Sequence, residues 1–412
     1  MSSLLLAEDL PAEIDVARET VELSIVMPCL NEAETLEICV RKAMKFLRDN
    51  EIIGEVVIGD NGSTDGSQGI ARRNGARVVA VAEHGYGSAI HGATMRCRGQ
   101  YIIVGDSDDS YDFSNLMPFI ERLRQGDDLV MGNRFKGGIR QGAMPWPNRY
   151  IGNPILTAVG RQFFRCPAHD FHCGLRGFSR SAYCRMDLQT TGMEFASEMV
   201  IKATLLKMKI SEVPTTLDPD GRSRPPHLRR WRDGWRHLRF MLLYSPRWLF
   251  LYPGLFLMVF GSIGMLRLIR GPMQIGAVIL DVDSLTYLSA FVFLGYQATT
   301  FAVLSKVFAI NVGLRPWEPR FQRVFKYLTM EAGLAAGALL FAAGVGLAVA
   351  ALVYWKVRAF GPLDPRLALR VVIPSALLLM LGCQTILSSF FLSVLGLRAR
   401  RPANSDLADA NK

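Results

Sequence analysis

No two of the seven cysteines (Cys29, Cys39, Cys97, Cys166, Cys173, Cys184 and Cys383) form a CxxC pair. An odd number scattered this way reads as reduced thiols in a cytosolic setting, and it argues against a disulfide framework. Cys166-Pro-Ala-His169-Asp-Phe-His172-Cys173 has zinc-like ligand types. It is too cramped for a closed tetrahedral site and has no second pair nearby in sequence, so it reads as a turn entering a strand. No internal repeat or low-complexity tract is present. The opening Met1-Ser-Ser-Leu-Leu-Leu lacks a cationic segment and runs into acidic residues, so no secretory signal is expected.

Beyond about Arg247, charge itself becomes scarce. Four uncharged apolar stretches, Leu249 to Leu266, Leu285 to Leu304, Ala332 to Trp355 and Val371 to Leu397, are each about the length that crosses a hydrocarbon core. Basic residues divide 16 to 6 between the two sets of connections, with eight arginines in Gly221 to Arg247 alone. That bias predicts an integral membrane protein whose charged first half and both termini face the cytoplasm. The run Pro225-Pro-His-Leu-Arg-Arg-Trp231-Arg-Asp-Gly-Trp235-Arg-His-Leu-Arg239 interleaves Arg with Trp. Beside a membrane span this reads as an interfacial segment on anionic lipid rather than a nucleic-acid surface. It serves either as a plain positive-inside anchor or as a guide by which a membrane lipid reaches the preceding domain.

The first half alternates strand and helix signals. Leu23 to Met27, Glu55 to Ile58, Arg77 to Val81, Tyr101 to Val104 and Leu129 to Met131 read as strands, with helical spacing from Ala33 to Asn50. Repeated βα units imply an α/β fold with a mostly parallel sheet and helices on both faces. The strand ends carry Pro28, Asn31 and Glu32, then Asp60, then Asp106 and Asp108. Each alone reads as a helix cap. Together they converge on the C-terminal rim, where open α/β sheets bind ligands. Asp106-Ser-Asp108 offers two hard oxygen donors for one divalent ion that also takes phosphate oxygens, as nucleotide-sugar chemistry requires. Glycines in Gly85-Tyr-Gly87 permit close backbone approach ahead of a helix N-terminus, a weak phosphate signal taken alone.

The ordered set Ile25-Val-Met-Pro28-x-x-Asn31-Glu32, Asp60-Asn-Gly-Ser63-Thr-Asp65-Gly66, Gly85-Tyr-Gly87, Asp106-Ser-Asp108 and Gly132-Asn-Arg134-Phe135 resembles the inverting family 2 glycosyltransferases. It is most similar to the branch acting on dolichyl or polyprenyl phosphate. Asp170-Phe-His-Cys-Gly174-Leu-Arg176, Glu194-Phe-x-x-Glu198 and Glu212-Val-Pro214 resemble later motifs of that group. The resemblance implies a GT-A-like domain over 22–220, an N-terminal extension over 1–21 and a basic juxtamembrane segment over 221–248. Four spans over 249–397 and a tail over 398–412 complete the chain. It implies that Pro28, Asn31, Glu32, Asp60, Asp65 and Gly87 serve a UDP- or GDP-hexose, and that Asp106 and Asp108 hold Mg²⁺ or Mn²⁺. Arg134 and Arg149 would bind the acceptor phosphate, with Arg222 and Arg224 on the acceptor or membrane side. A lipid phosphate is already ionised, so the transfer needs no general base and rests on positioning and charge neutralisation. The Gln-x-x-Arg-Trp signature of processive synthases is absent.

Four positions depart from the pattern: Asn61 for a common Asp, Tyr86 for a frequent Lys, Ser110 for a frequent Gln, and Asp218 where an Arg often precedes Gly221-x-Ser223. Two rival readings stay open. One has a hydroxyl-bearing lipid as acceptor, with Glu194 or Glu198 as base. The other is a sugar-lipid carrier or scaffold that binds without catalysis; against it stand the intact Asp106-x-Asp108 and spans with few polar residues besides Gln297 and Gln384.

Overall fold

The computed structural model of this chain describes residues 20–223, 230–311 and 329–396. Arg224, residues 312–328 and the tail lie outside them. The chain forms two compact units, Met1–Arg161 with Arg165–Gly234, and Gln162–Phe164 with Trp235–Lys412.

In the first unit the apolar run Leu23–Cys29 is strand β1, buried at every position but Pro28. Such burial is what a central strand covered on both faces requires. Helix α1 (Leu36–Asp49) comes next, with Leu36, Cys39, Val40, Ala43, Phe46 and Leu47 buried. That i, i+3, i+4, i+7 spacing makes one apolar stripe. The units β2 (Gly54–Asp60) to α2 (Ser67–Arg73), β3 (Arg77–Ala80) to α3 (Tyr86–Thr94) and β4 (Tyr101–Val104) to α4 (Met117–Arg124) repeat the plan. Then come β5 (Leu129–Asn133), the short α5 (Arg134–Gly137), a π-turn at Asn148–Gly152, α6 (Asn153–Phe164), β6 (Arg176–Ser179), α7 (Arg180–Met186), α8 (Phe195–Leu205) and β7 (Ile210–Pro214).

The seven strands form one sheet in the order β3-β2-β1-β4-β6-β5-β7. All neighbours pair in parallel except β6, which runs antiparallel to both β4 and β5. This is the GT-A-like arrangement expected from the sequence. Register brings Cys29 opposite Asp60, and Val104 opposite Arg176. The start of β6 therefore shares the rim with the ends of β1, β2 and β4. Phe113, Phe119, Phe171, Phe178 and Phe195 are the largest fully buried side chains among the described residues.

Helix α9 (Arg230–Tyr244) precedes the second unit's long helices. Four are long and apolar enough to cross a membrane: Arg247–Leu268, Val282–Asn311, Met330–Val357 and Pro365–Leu395. A hairpin of β8 (Met273–Ile275) and β9 (Val278–Leu280) joins the first two. The helices approach closely at glycines: a Cβ on Gly295 would stand 2.5 Å from Gly254 O, and one on Gly337 2.9 Å from Gly382 O. Close backbone contact through small residues is how helices associate in lipid, where apolar burial supplies little drive. Tyr296 and Thr385 add an interhelical hydroxyl hydrogen bond of 2.6 Å.

Candidate active site

The loops after β1 and β2 are laced together. Asn31 takes a left-handed backbone, φ 59°. Its N–H donates to Ser63 Oγ at 2.9 Å, and its Oδ1 accepts from Thr64 N–H at 2.8 Å. Glu32 N–H donates to Ser67 Oγ at 3.0 Å and Ala33 N–H to Asp65 Oδ2 at 2.9 Å. The other Asp65 oxygen accepts from Ser67 N–H and Oγ–H at 3.0 and 2.6 Å. Burial works against the Asp65 charge, but these hydrogen bonds hold its carboxyl below the usual range. Asp60 accepts from the N–H groups of Gly62 and Ser63 at 3.2 Å and from Gln68 Nε2 at 2.6 Å. Asn31, Asp60 and Asp65, expected at the nucleotide, thus build the rim itself. Pro28 joins it through its carbonyl, which accepts from Ser107 Oγ at 2.7 Å.

Asn61 is a clamp. Its Nδ2 donates to Val81 O and Glu83 O at 3.2 and 2.9 Å, while its Oδ1 accepts from Gly85 N–H at 2.9 Å. It fixes the loop that delivers α3. Gly85 has φ +142°, and an added Cβ would stand 2.2 Å from Thr191 O. At Gly87 a Cβ would meet Thr190 O at 2.6 Å and Phe195 Cβ at 2.7 Å. The smallness of Gly87 thus serves packing against the chain's own residues.

The carboxylates after β4 stand at the centre. Tyr86 Oη donates to Asp106 Oδ1 at 3.0 Å. A Cβ on Gly174 would lie 2.6 Å from Asp106 Oδ2, so only glycine fits beside it. Burial and the neighbouring Asp108 charge push the Asp106 carboxyl up, to about 6, against the pull of Tyr86, Arg222 and Arg134. Asp108 Oδ1 accepts from Ser110 N–H and Oγ–H at 3.1 and 2.6 Å, so Ser110 orients that carboxylate. Asp108 Oδ2 pairs with Arg222, whose Nη1 lies 3.2 Å from Glu32 Oε1. Arg222, expected at the acceptor or membrane side, here pairs with Asp108 and Glu32 on the rim.

Among the described residues no group of three or more His, Cys, Asp or Glu side chains converges as a metal cage. Two carboxylates are nevertheless what a Mg²⁺-type ion takes from protein when phosphates and water complete its octahedron. A crowded, partly buried pair whose negative charge already draws in a guanidinium fits such an ion. The zinc-like cysteine and histidine cluster does not converge. His169 Nδ1 lies 3.1 Å from Glu212, His172 Nε2 3.2 Å from Ser197, and Cys173 Sγ 3.9 Å from Tyr111.

Arg134 is buried and committed. Its Nε and Nη2 donate to the two oxygens of Asp170 at 2.8 Å each, and its backbone N–H to Asp170 Oδ2 at 2.9 Å. Glu212 supports that pair by accepting from the N–H groups of His169 and Asp170 at 2.5 and 3.0 Å and from Asn133 Nδ2 at 3.1 Å. Arg149 sits in the π-turn with its guanidinium 5.4 Å from the Tyr150 ring. Glu198 is fully buried, and its carboxylate accepts from Gln189 N–H at 3.1 Å and from Thr190 N–H and Oγ–H at 2.8 and 2.7 Å. Lys202 Nζ lies 3.1 Å from it. Tyr86, Gly174, Glu212 and Tyr111, whose Oη accepts from Gly174 N–H at 2.8 Å, are site-building residues whose roles sequence reasoning did not assign. A donor between two glycines and a glycine preceding an antiparallel strand were the available signals.

Residues 24–185 match the model for glycosyl transferase family 2, and residues 303–396 match the glycosyltransferase family 2 C-terminal transmembrane region. The low-salt glycan biosynthesis hexosyltransferase Agl6 of Haloferax volcanii is 35% identical over 389 residues, covering 94% of this chain and 91% of that protein. A dolichyl-phosphate hexose transferase of the same organism is 29% identical over 208 residues, 48% of this chain and 87% of that one. Glucosyl-3-phosphoglycerate synthase from Mycobacterium tuberculosis, solved with Mn²⁺, UDP and product, aligns at 20% identity with TM-score 0.43 over 58% of this chain and 85% of that one. With the catalytic sheet and the membrane helices each matched, and a hexosyltransferase alike along nearly the whole length, this chain belongs to the family 2 glycosyltransferases as an integral membrane member.

Proposed function

We propose that the protein transfers a single hexose, with inversion, from a UDP- or GDP-sugar to a polyprenyl phosphate. Asp106 and Asp108 would hold Mg²⁺ or Mn²⁺, and that ion would neutralise charge on the departing diphosphate. The observation that carries the acceptor class is Glu198. Of the two carboxylates that could serve as base for a hydroxyl acceptor, Glu194 and Glu198, the latter is buried and saturated by Gln189, Thr190 and Lys202. A phosphate acceptor arrives without a proton to remove, so a Glu198 already committed to its own neighbours suits it. The name of the dolichyl-phosphate hexose transferase relative supports the same reading.

The chain's own residues would then work by placement. The laced β1 and β2 loops carry Glu32 and Asp60 to the nucleotide side of the rim. Tyr86 and Gly174 fix the rotamer of Asp106, and Ser110 fixes that of Asp108. Asp170 and Glu212 lock Arg134 at the end of β5, and Arg149 supplies a second cation from the π-turn for the acceptor phosphate. The catalytic unit and both termini face the cytoplasm in this reading, where nucleotide sugars are made.

Membranes carrying the protein, given labelled nucleotide sugars and polyprenyl phosphate, test the proposal by mass analysis of the lipid extract. The expected product is a sugar monophosphate lipid, labile to mild acid. A product stable to mild acid and lacking phosphorus would replace the acceptor with a hydroxyl-bearing lipid.

A further inference from the structure

The segment leaving β7 crosses the carboxylate rim and is tied to the Asp106–Ser110 loop by its backbone. Asp218 N–H donates to Ser110 O at 3.0 Å, and Gly221 N–H to Asp108 O at 2.9 Å. Asp218 itself pairs with Arg140 at 2.6 Å. Four residues on, Arg222 places its guanidinium on Asp108 and Glu32, with Asp220 at 3.8 Å. The side chains of Arg222, Asp108 and Glu32 are only 11%, 12% and 7% exposed. Both Asp108 oxygens are therefore engaged, one by Ser110 and the other by Arg222. A dication and a guanidinium cannot share one carboxylate oxygen in so small a space, because their repulsion is weakly screened there.

We propose that Arg222 is the resident counter-cation of the donor-metal site. It neutralises Asp108 and Glu32 until the divalent ion enters, is displaced from Asp108 by that ion, and passes to the diphosphate the ion brings. A guanidinium released beside a diphosphate finds the planar, doubly accepting partner for which its fork is shaped. The strap Thr215–Ser223 moves with it, so metal loading and nucleotide capture are coupled through one side chain. This inference rests on the metal assignment to Asp106 and Asp108.

Full-length protein in detergent, as the parent, Arg222→Gln, Arg222→Lys and Asp108→Asn, is titrated with Mn²⁺ alone by calorimetry, and then with UDP or GDP at saturating Mn²⁺. Removing the competing cation should tighten Mn²⁺ binding about tenfold in Arg222→Gln. Nucleotide binding should weaken by about tenfold or more. A merely structural arginine would not move the two affinities in opposite directions. Arg222→Lys keeps the charge but not the fork and should fall between, so it carries the comparison if the Gln variant unfolds. Asp108→Asn should lose Mn²⁺ binding. If parental Mn²⁺ binding depends on Asp108 but Arg222→Gln leaves it equal or weaker, the counter-cation role is refuted and the metal assignment stands. Absence of Asp108-dependent binding in the parent refutes both.

Discussion

Glu198→Gln separates a catalytic from a structural carboxylate. The parent side chain accepts three hydrogen bonds from the Gln189–Thr190 backbone and the Thr190 hydroxyl, and it neutralises Lys202. Glutamine keeps the shape but turns an NH₂ group toward those donors and leaves Lys202, 4% exposed, with an uncompensated charge. Breaking one half of a buried pair costs about 3–5 kcal/mol. For a unit of this size, that lowers the melting temperature by roughly 6–20 °C. Thermal melts in detergent give the first readout, and kcat measured well below the melting range gives the second. The expected pattern is a large loss of stability with kcat within a few-fold of the parent. Glu198→Gln combined with Lys202→Met should recover part of the stability, since both buried charges are then gone. An unchanged melting temperature with kcat lower by about 10²- to 10⁴-fold would mark Glu198 as a general base and refute the reasoning.

Asp108→Asn should keep its melting temperature within a few degrees yet lose transfer by more than about 10²-fold, and a chelator should do the same to the parent; normal turnover of the variant would remove the metal role. Arg134→Ala strands the buried Asp170 and should destabilise by about 3–5 kcal/mol, whereas Arg149→Ala should melt like the parent. Arg149→Ala should instead raise the KM for polyprenyl phosphate by about 10- to 100-fold, with donor affinity unchanged in a UDP or GDP titration. Gly174→Ala drives a methyl to 2.6 Å from Asp106 Oδ2, so its Mn²⁺ affinity in calorimetry should drop at least about tenfold. Asn61→Asp sets a carboxylate against the carbonyls of Val81 and Glu83 and should cost about 1–3 kcal/mol in a denaturant melt.

The fold was legible because its signals are local. The run Leu23 to Met27 falls within β1 (Leu23–Cys29), and the helical spacing over Ala33 to Asn50 contains α1 (Leu36–Asp49). Apolar stretches likewise marked the four candidate membrane helices, with ends that differ by two to seven residues. Asp106 and Asp108 were legible as a rim pair because a parallel strand must deliver its succeeding loop to one edge. Partnerships across the sheet were not. Arg134 meets Asp170 over 36 residues, and Asp170 N–H meets Glu212 over 42. Nothing in the spacing says which buried carboxylate an arginine will serve, so the bidentate pair of Arg134 with Asp170 was not legible beforehand. Asn61 and Tyr86 looked like losses beside the family pattern. In the structure Asn61 satisfies two loop carbonyls with an amide that a carboxylate lacks. Tyr86 replaces a charge by a hydroxyl donor aimed at Asp106.

Asp218 shows why positions should be compared by charge and reach rather than one at a time. Read singly, an acid where the family pattern has an arginine removes a cation from the carboxylate rim. The structure compensates within the same strap: Asp218 pairs with Arg140, and the next turn of chain returns a guanidinium to Asp108 and Glu32. What the site keeps physically is one positive charge poised over the carboxylates, held there by backbone hydrogen bonds from Asp218 and Gly221 to the loop it covers. Those two hydrogen bonds need no particular side chain, so the strap can hand the charge from one residue to another without losing its grip on the rim. Arg222 meets its two carboxylates through single contacts, whereas Arg134 is locked bidentately by Asp170. That difference in commitment separates the arginine that frames the site from the one able to answer an incoming ion.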